Sequence, residues 1–338
     1  MKQSTKNIII NISCIVTAII VTCVFFEFFF RYKEYRKKQA IKSFEYLPGI
    51  PSKDNKGFRE KINLFEKGDN STRILVLGDS YSWGDKIKDP KDIWPNILQK
   101  ILAKEYPKRK IEVVNLACCG FTTVNEMEVF YKVGLRMQPD IVVVQFTLND
   151  PLPSGPGLKR VGSDWLSEQN AVTSVPEQKR DVKKKGFSET FRKKSAFYRW
   201  LSTRFGYLEM KQQNRSFYDP LYKEDFQGWQ ACKKSLQLIS DGAKKINAKT
   251  ILMIAPYFLP GKWTNETYPL KHLNAKVIDA GENANMMVLD LFQSFVDKGR
   301  DFGSYKALYG QDGHPNETAH KIMAQTLDQF IRKNNLIR

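Results

Sequence analysis

The apolar positions of this 338-residue chain follow two regimes. Over residues 7–30 they run almost without interruption, broken only by Asn11, Ser13, Thr17, Thr22 and Glu27. At a helical rise of about 1.5 Å per residue such a stretch spans a hydrocarbon core of about 30 Å. A cleaved signal peptide would carry a shorter apolar region followed by small residues. Here the stretch ends Phe28-Phe29-Phe30-Arg31, so the pattern predicts an uncleaved, single-pass membrane helix. Residues 1–38 are therefore assigned to an N-terminal anchor. Residues 39–72, with Pro48 and Pro51, are assigned to a connector.

The second regime fills residues 73–338. Short apolar runs at 73–78, 111–116, 141–146, 250–255 and 286–291 have the length and β-branched content of buried strands. Between them lie stretches with helical spacing, at 92–106, 124–137, 228–247, 270–283 and 316–333. In the last, Ala319, Ile322, Met323, Leu327, Phe330 and Ile331 form one stripe. Strands alternating with helices at this spacing predict βαβ units and a five-stranded parallel sheet. Right-handed crossovers then gather the carboxyl ends of the strands on one edge. Residues 151–227 break the rhythm. They begin with prolines and glycines and continue through basic runs at 183–185 and 192–194, then Phe197, Tyr198 and Trp200. This segment is read as a largely solvated, partly helical insertion into the α/β domain.

The formal net charge of +18 raises the question of a polyanionic partner. No compact nucleic-acid recognition motif accompanies it and the lysines are dispersed, so nucleic acid is not expected. The five cysteines show no paired C-x-x-C spacing, which argues against a structural zinc site. Cys118 and Cys119 read as small side chains packing a turn. Only His272, His314 and His320 are available to a histidine-dependent mechanism. His320 falls beside the apolar stripe of the last helix and His272 lies in a polar helix, which leaves His314.

The chemistry collects at the strand ends. Ser80 follows the first strand after Gly78-Asp79, Gly120 follows the second, and Asn149-Asp150 follows the third. Asp312-Gly313-His314-Pro315-Asn316 precedes the last helix. A serine hydroxyl becomes a competent nucleophile when a base takes its proton, and His314 is the candidate base. Asp312, two residues before it, is the candidate orienting carboxylate. The N–H groups of Ser80 and Gly120, with the Asn149 amide, are candidate donors to an oxyanion. Asp79 reads as structural. Ser82 occupies the last place of a would-be G-x-S-x-G elbow, which disfavours an ordinary α/β-hydrolase. No phosphate-binding loop or well-placed dinucleotide fingerprint is present.

Taken together, Gly78-Asp79-Ser80, Gly120, Asn149-Asp150 and Asp312-Gly-His314 resemble the motif blocks of the SGNH (GDSL-type) hydrolase superfamily. Residues 57–59, Gly-Phe-Arg, resemble the lead-in of its membrane-anchored bacterial members. Two positions depart from the pattern. Thr147 stands where the third block often has glycine, and Gln311 stands three before His314, where the carboxylate is often found. The resemblance implies a flavodoxin-like three-layer α/β/α fold and ester hydrolysis or acyl transfer, with no cofactor and no metal. It implies Ser80, His314 and Asp312 as the catalytic set, with Ser80, Gly120 and Asn149 around the oxyanion. The expected substrate is an acyl ester, foremost an O-acetylated glycan of the cell envelope. The alternatives are an O-acyltransferase to glycan hydroxyls and a non-catalytic envelope-assembly protein. The expected location is the cell membrane with the large domain outside, although the basic residues after the apolar stretch argue for the opposite orientation.

Overall fold

The computed structural model describes residues 3–43, 67–68, 70–152, 195–198, 201, 218–307 and 313–337. Most of the expected connector, most of the expected insertion, the 57–59 lead-in and Asp312 lie outside the described residues. The chain divides into two compact units. One combines residues 1–46 with 178–215, and the other combines 47–177 with 216–338.

In the first unit a long helix, α1, runs Gln3–Ser43. Within it, Ile10–Lys33 is long and apolar enough to cross a membrane, with a mean hydropathy of 2.4. The helix extends well past residue 30, the end expected from hydropathy. Past Lys33 the sequence holds glutamate, arginine, lysine, glutamine and alanine, which favour helix without being apolar. One acidic residue interrupts the apolar face. Glu27 pairs with Arg31 at 2.7 Å. It also caps a short helical segment at 196–198, accepting from Ser195 Oγ, Ala196 N–H and Phe197 N–H at 2.7, 3.1 and 3.0 Å. The ring of Phe197 stacks on Phe26 and Phe30.

The second unit is an α/β/α sandwich. Its strands are β1 (Ser71–Leu77), β2 (Lys110–Asn115), β3 (Ile141–Phe146), β4 (Lys249–Ile254) and β5 (Met287–Asp290). All pair in parallel, in the order β2-β1-β3-β4-β5, which is the flavodoxin-like arrangement. The central strands β1 and β3 are buried at every position. That explains the apolar runs 74–77 and 141–144 within them, because a parallel sheet is covered on both faces. The edge strand β2 alternates between buried and more exposed positions. Helices α3 (Trp94–Glu105) and α8 (Glu317–Lys333) pack together on one side. Helices α4 (Thr123–Lys132), α5 (Gln227–Lys245) and α6 (Lys271–Asn283) pack in a row on the other.

The order reverses between β1 and β3: the chain leaves β1 toward β2, then crosses back over β1 to reach β3. At such a switch point the flanking loops diverge and leave a crevice at the strand ends. Short helices α2 (Ser80–Trp83) and α7 (Phe292–Val296), each too brief for a periodic signal, complete the fold. The helix expected over 124–137 stops at Lys132. Val133 leaves helical geometry, Gly134 begins a tighter turn over Gly134–Met137, and Gln138 closes it with φ +48°.

Candidate active site

Ser80 is the first residue of α2, directly beyond the carboxyl end of β1. Four contacts fix this short helix. The Asp79 carboxylate caps it by accepting the Tyr81 N–H at 2.8 Å. The indole N–H of Trp94 donates to Ser82 Oγ, which donates to Gln145 Oε1, a glutamine buried inside β3. The Asn115 amide, from the end of β2, donates to the Ser82 carbonyl at 2.8 Å. Elements from both sides of β1 thus hold the serine turn.

His314 arrives from the turn before α8. Its carbonyl accepts the Ala307 N–H, and the next N–H beyond Pro315, that of Asn316, donates to Tyr305 O. The Asn316 side chain caps α8 by accepting from Ala319 N–H at 3.0 Å. The Tyr81 hydroxyl donates to the Gly313 carbonyl at 2.5 Å, and its ring lies 5.8 Å from the imidazole, centroid to centroid. The result is a 2.8 Å hydrogen bond between His314 Nε2 and Ser80 Oγ. Both residues line a cavity of about 380 Å³.

Gly120 and Asn149 line the same cavity. Gly120 has φ +79°, which a side chain would strain. Asn149 is held by its carbonyl oxygen, which lies 2.6 Å from the Thr147 hydroxyl. Thr147 also reaches Asp79 Oδ2 at 2.8 Å and Asp150 Oδ1 at 3.2 Å. The threonine in place of glycine therefore ties the loop after β3 to the loop after β1. Four of the five expected site residues gather at one cavity. The fifth, Asp312, falls outside the described residues.

The other histidines sit elsewhere. His320 is fully buried and its Nδ1 accepts the Trp94 N–H at 3.2 Å. His272 pairs with Asp219 at the surface. Cys118 and Cys119 are buried, as their turn position suggested, and Cys119 also reaches the cavity wall.

Three contributors escaped the sequence reading. Tyr81 and Thr147 each bond through a hydroxyl to a residue distant in the chain, Gly313 and Asp79 respectively. Asp85, five residues after Ser80, lines the cavity, and its Oδ2 lies 3.6 Å from His314 Nε2. The available signal was a carboxylate one short helical turn past the nucleophile motif. Beneath the site lie three buried carboxyls. Burial raises Asp79, while the Tyr81 N–H, the Thr147 hydroxyl and the positive charge of His314 act against that rise. Burial and the neighbouring acids push Glu126 and Asp150 well above the usual carboxylate range.

The profile of the GDSL-like lipase/acylhydrolase family matches residues 76–322. No curated protein matches the sequence. Similar solved structures include Axe2, an acetylxylan esterase from Geobacillus stearothermophilus, at 16% identity and a TM-score of 0.45, over 79% of this chain and 96% of that one. LAE5, described as an alpha/beta hydrolase enzyme from the metagenome of Lake Arreo, is similar at 13% identity and a TM-score of 0.45, over 81% and 99% of the two chains. The psychrotrophic esterase EstA from Pseudoalteromonas is similar at 16% identity and a TM-score of 0.41, over 79% and 99%.

Proposed function

The chain belongs to the GDSL-like lipase/acylhydrolase family and is a hydrolase of ester bonds, and on that premise we propose a serine mechanism centred on Ser80 and His314. The observation that carries it is the 2.8 Å bond between Ser80 Oγ and His314 Nε2 at the wall of the strand-end cavity. Ser80 Oγ attacks the acyl carbon while His314 Nε2 takes the hydroxyl proton. The carbonyl electrons move onto oxygen, and the N–H groups of Ser80 and Gly120, with the Asn149 amide, receive that charge. His314 returns the proton to the alcohol oxygen as the ester C–O bond breaks. Water then attacks the acyl-serine with His314 again as base, releasing the acid and restoring Ser80. Asp312 orients the imidazole and offsets its transient charge.

For the substrate we propose a short-chain, foremost acetyl, ester of an envelope glycan. A cavity of about 380 Å³ suits a small acyl group. Tyr218 and Tyr257, packed edge to face at the cavity, offer aromatic surface to a sugar. Ile10–Lys33 serves as a single-pass anchor and holds the domain at the outer face of the cell membrane. The direct experiment measures hydrolysis of a chromogenic acetyl ester by the full chain and by Ser80→Ala. Loss of turnover in the variant, with covalent capture of wild type by a fluorophosphonate, is the expected result. Undiminished hydrolysis by Ser80→Ala refutes the mechanism.

A further inference from the structure

Asp85 sits where a carboxylate can act on the imidazole during the reaction. The loop that carries it is tightly constrained. Both neighbours adopt the left-handed region, Gly84 at φ +80° and Lys86 at φ +71°. A side chain at Gly84 would also meet Ile93 Cγ2 at 2.2 Å. Non-glycine residues in this region cost free energy and concentrate where a function holds them. The Asp85 N–H donates back to the Ser80 carbonyl at 2.9 Å, so the loop closes on the nucleophile itself. Asp85 Oδ2 lies 2.9 Å from the Lys86 ammonium and 3.6 Å from His314 Nε2, which becomes cationic on taking a proton. The carboxylate side chain is only 13% exposed, so solvent screens this arrangement weakly.

We propose that Asp85 is a positioning residue for His314: it stabilises the imidazolium formed when Ser80 is deprotonated, and Lys86 sets how strongly it does so. This rests on the serine mechanism above. A neutral imidazole presents a lone pair at Nε2 and gains nothing from a nearby carboxylate. Once Nε2 carries the proton, the same carboxylate attracts it. The interaction therefore grows as the transition state forms, which is the condition for lowering a barrier. Asp85 takes no proton in this scheme. The proton passes from Ser80 Oγ to His314 Nε2 and on to the leaving oxygen. Lys86 pairs with the same Asp85 oxygen and competes with the imidazolium for its charge.

The other groups facing His314 stay constant across the test. Tyr81 and Asp79 come from the serine turn, and Tyr257 packs on Gly313 with Lys306 Nζ over its ring. Tyr218 and Cys119 stand at the cavity wall, and Asp312 adjoins in sequence.

The experiment follows the His314 ring by NMR in histidine-labelled full-length protein in detergent, with the signal assigned by its loss in His314→Gln. In Asp85→Asn the titration midpoint falls by about one pH unit, as expected for loss of an opposite charge within about 4 Å. In Lys86→Gln it rises, and in Asp85→Glu it returns toward wild type. In turnover, Asp85→Asn lowers kcat about tenfold, and the acid limb of the pH profile moves to lower pH. A midpoint unchanged in Asp85→Asn, or a shift of the same sign in both Asp85→Asn and Lys86→Gln, overturns the proposal. The titration needs no turnover, so an inactive wild type would defeat the serine mechanism and still leave Asp85 judged by the His314 midpoint.

Discussion

The substitution Glu126→Gln tests whether the acids beneath the site are held neutral. Glu126 lies in the first turn of α4, is fully buried, and neither carboxyl oxygen has a hydrogen-bond partner among the described residues. Burial foremost, then the charges of Asp150 and Asp79, push its carboxyl well above the usual range. The Thr147 hydroxyl supports the same picture. It faces Asp79, Asp150 and Asn149 oxygens, yet a hydroxyl has one proton to donate. The Asp79–Asp150 pair is satisfied when one carboxyl carries a proton. Each such group binds its proton more tightly folded than unfolded. Its stabilisation is thus complete below the unfolded value, near the reference of 4.5 for Glu126, and is lost as pH rises through the folded value. Over that window each carboxyl removes on the order of 1 kcal/mol per pH unit. Glu126→Gln deletes one such term and adds a buried amide that costs about 1–3 kcal/mol if unpaired. The variant is therefore less stable than wild type in acid, and its deficit shrinks and then reverses as pH rises. Urea unfolding, read from the fluorescence of the buried Trp94 and Trp229 between about pH 5 and about pH 9, measures both curves. Parallel curves would refute the reasoning, because they would show that Glu126 does not change its proton occupancy on folding.

Two further outcomes follow from single contacts. Tyr81→Phe removes the hydroxyl that holds the Gly313 carbonyl, costs about 1 kcal/mol of stability, and lowers kcat about tenfold through drift of His314 while KM changes little. Steady-state kinetics on an acetyl ester measures it, and a loss confined to KM contradicts the assignment. Glu27→Gln weakens the cap on the 195–198 segment, so amide hydrogen exchange at Ala196 and Phe197 accelerates about tenfold while the exchange of β3 is unchanged. Unaltered exchange at both amides would mean that stacking of Phe197 on Phe26 and Phe30 holds the segment without the carboxylate.

What the sequence made legible has a common physical basis. A strand buried on both faces is mostly apolar, so residues 74–77 of β1 and 141–144 of β3 announce themselves, and the expected 141–146 coincides with the observed strand. A long amphipathic helix repeats its stripe often enough to be seen, as α5 and α8 do. Strand order is carried by contacts between segments and by no single segment, yet parallel pairing by itself puts Ser80, Gly120 and Asn149 on one edge. The omissions have the opposite character. Helix α2 is four residues long, and its stability comes from the Asp79 cap and the Ser82–Gln145 bond, neither of which leaves a periodicity. Tyr81 resembles any core aromatic, and only its 2.5 Å contact with Gly313 reveals its part at the site. Hydropathy located the apolar portion of α1 but not its polar continuation to Ser43, because helix propensity and apolarity are separate properties.

The same contrast explains why the Ser80–His314 distance belongs to the whole sheet rather than to two loops. The serine turn is bonded to β2 through Asn115, to β3 through Gln145, to the loop after β3 through Thr147, and to the start of α3 through Trp94. The histidine turn is bonded to the serine turn through Tyr81 and to the 305–307 segment through backbone. A buried polar side chain in the middle of a parallel sheet is costly unless paired; Gln145 pairs through Oε1 to the nucleophile helix, while its buried Nε2 has no partner among the described residues. Its presence among the apolar residues of β3 is accounted for by that bond. Two polar interruptions in otherwise apolar segments, Gln145 in β3 and Glu27 in α1, each secure a segment remote in sequence. A polar residue where the pattern demands an apolar one is thus the clue to tertiary structure that periodicity discards as noise.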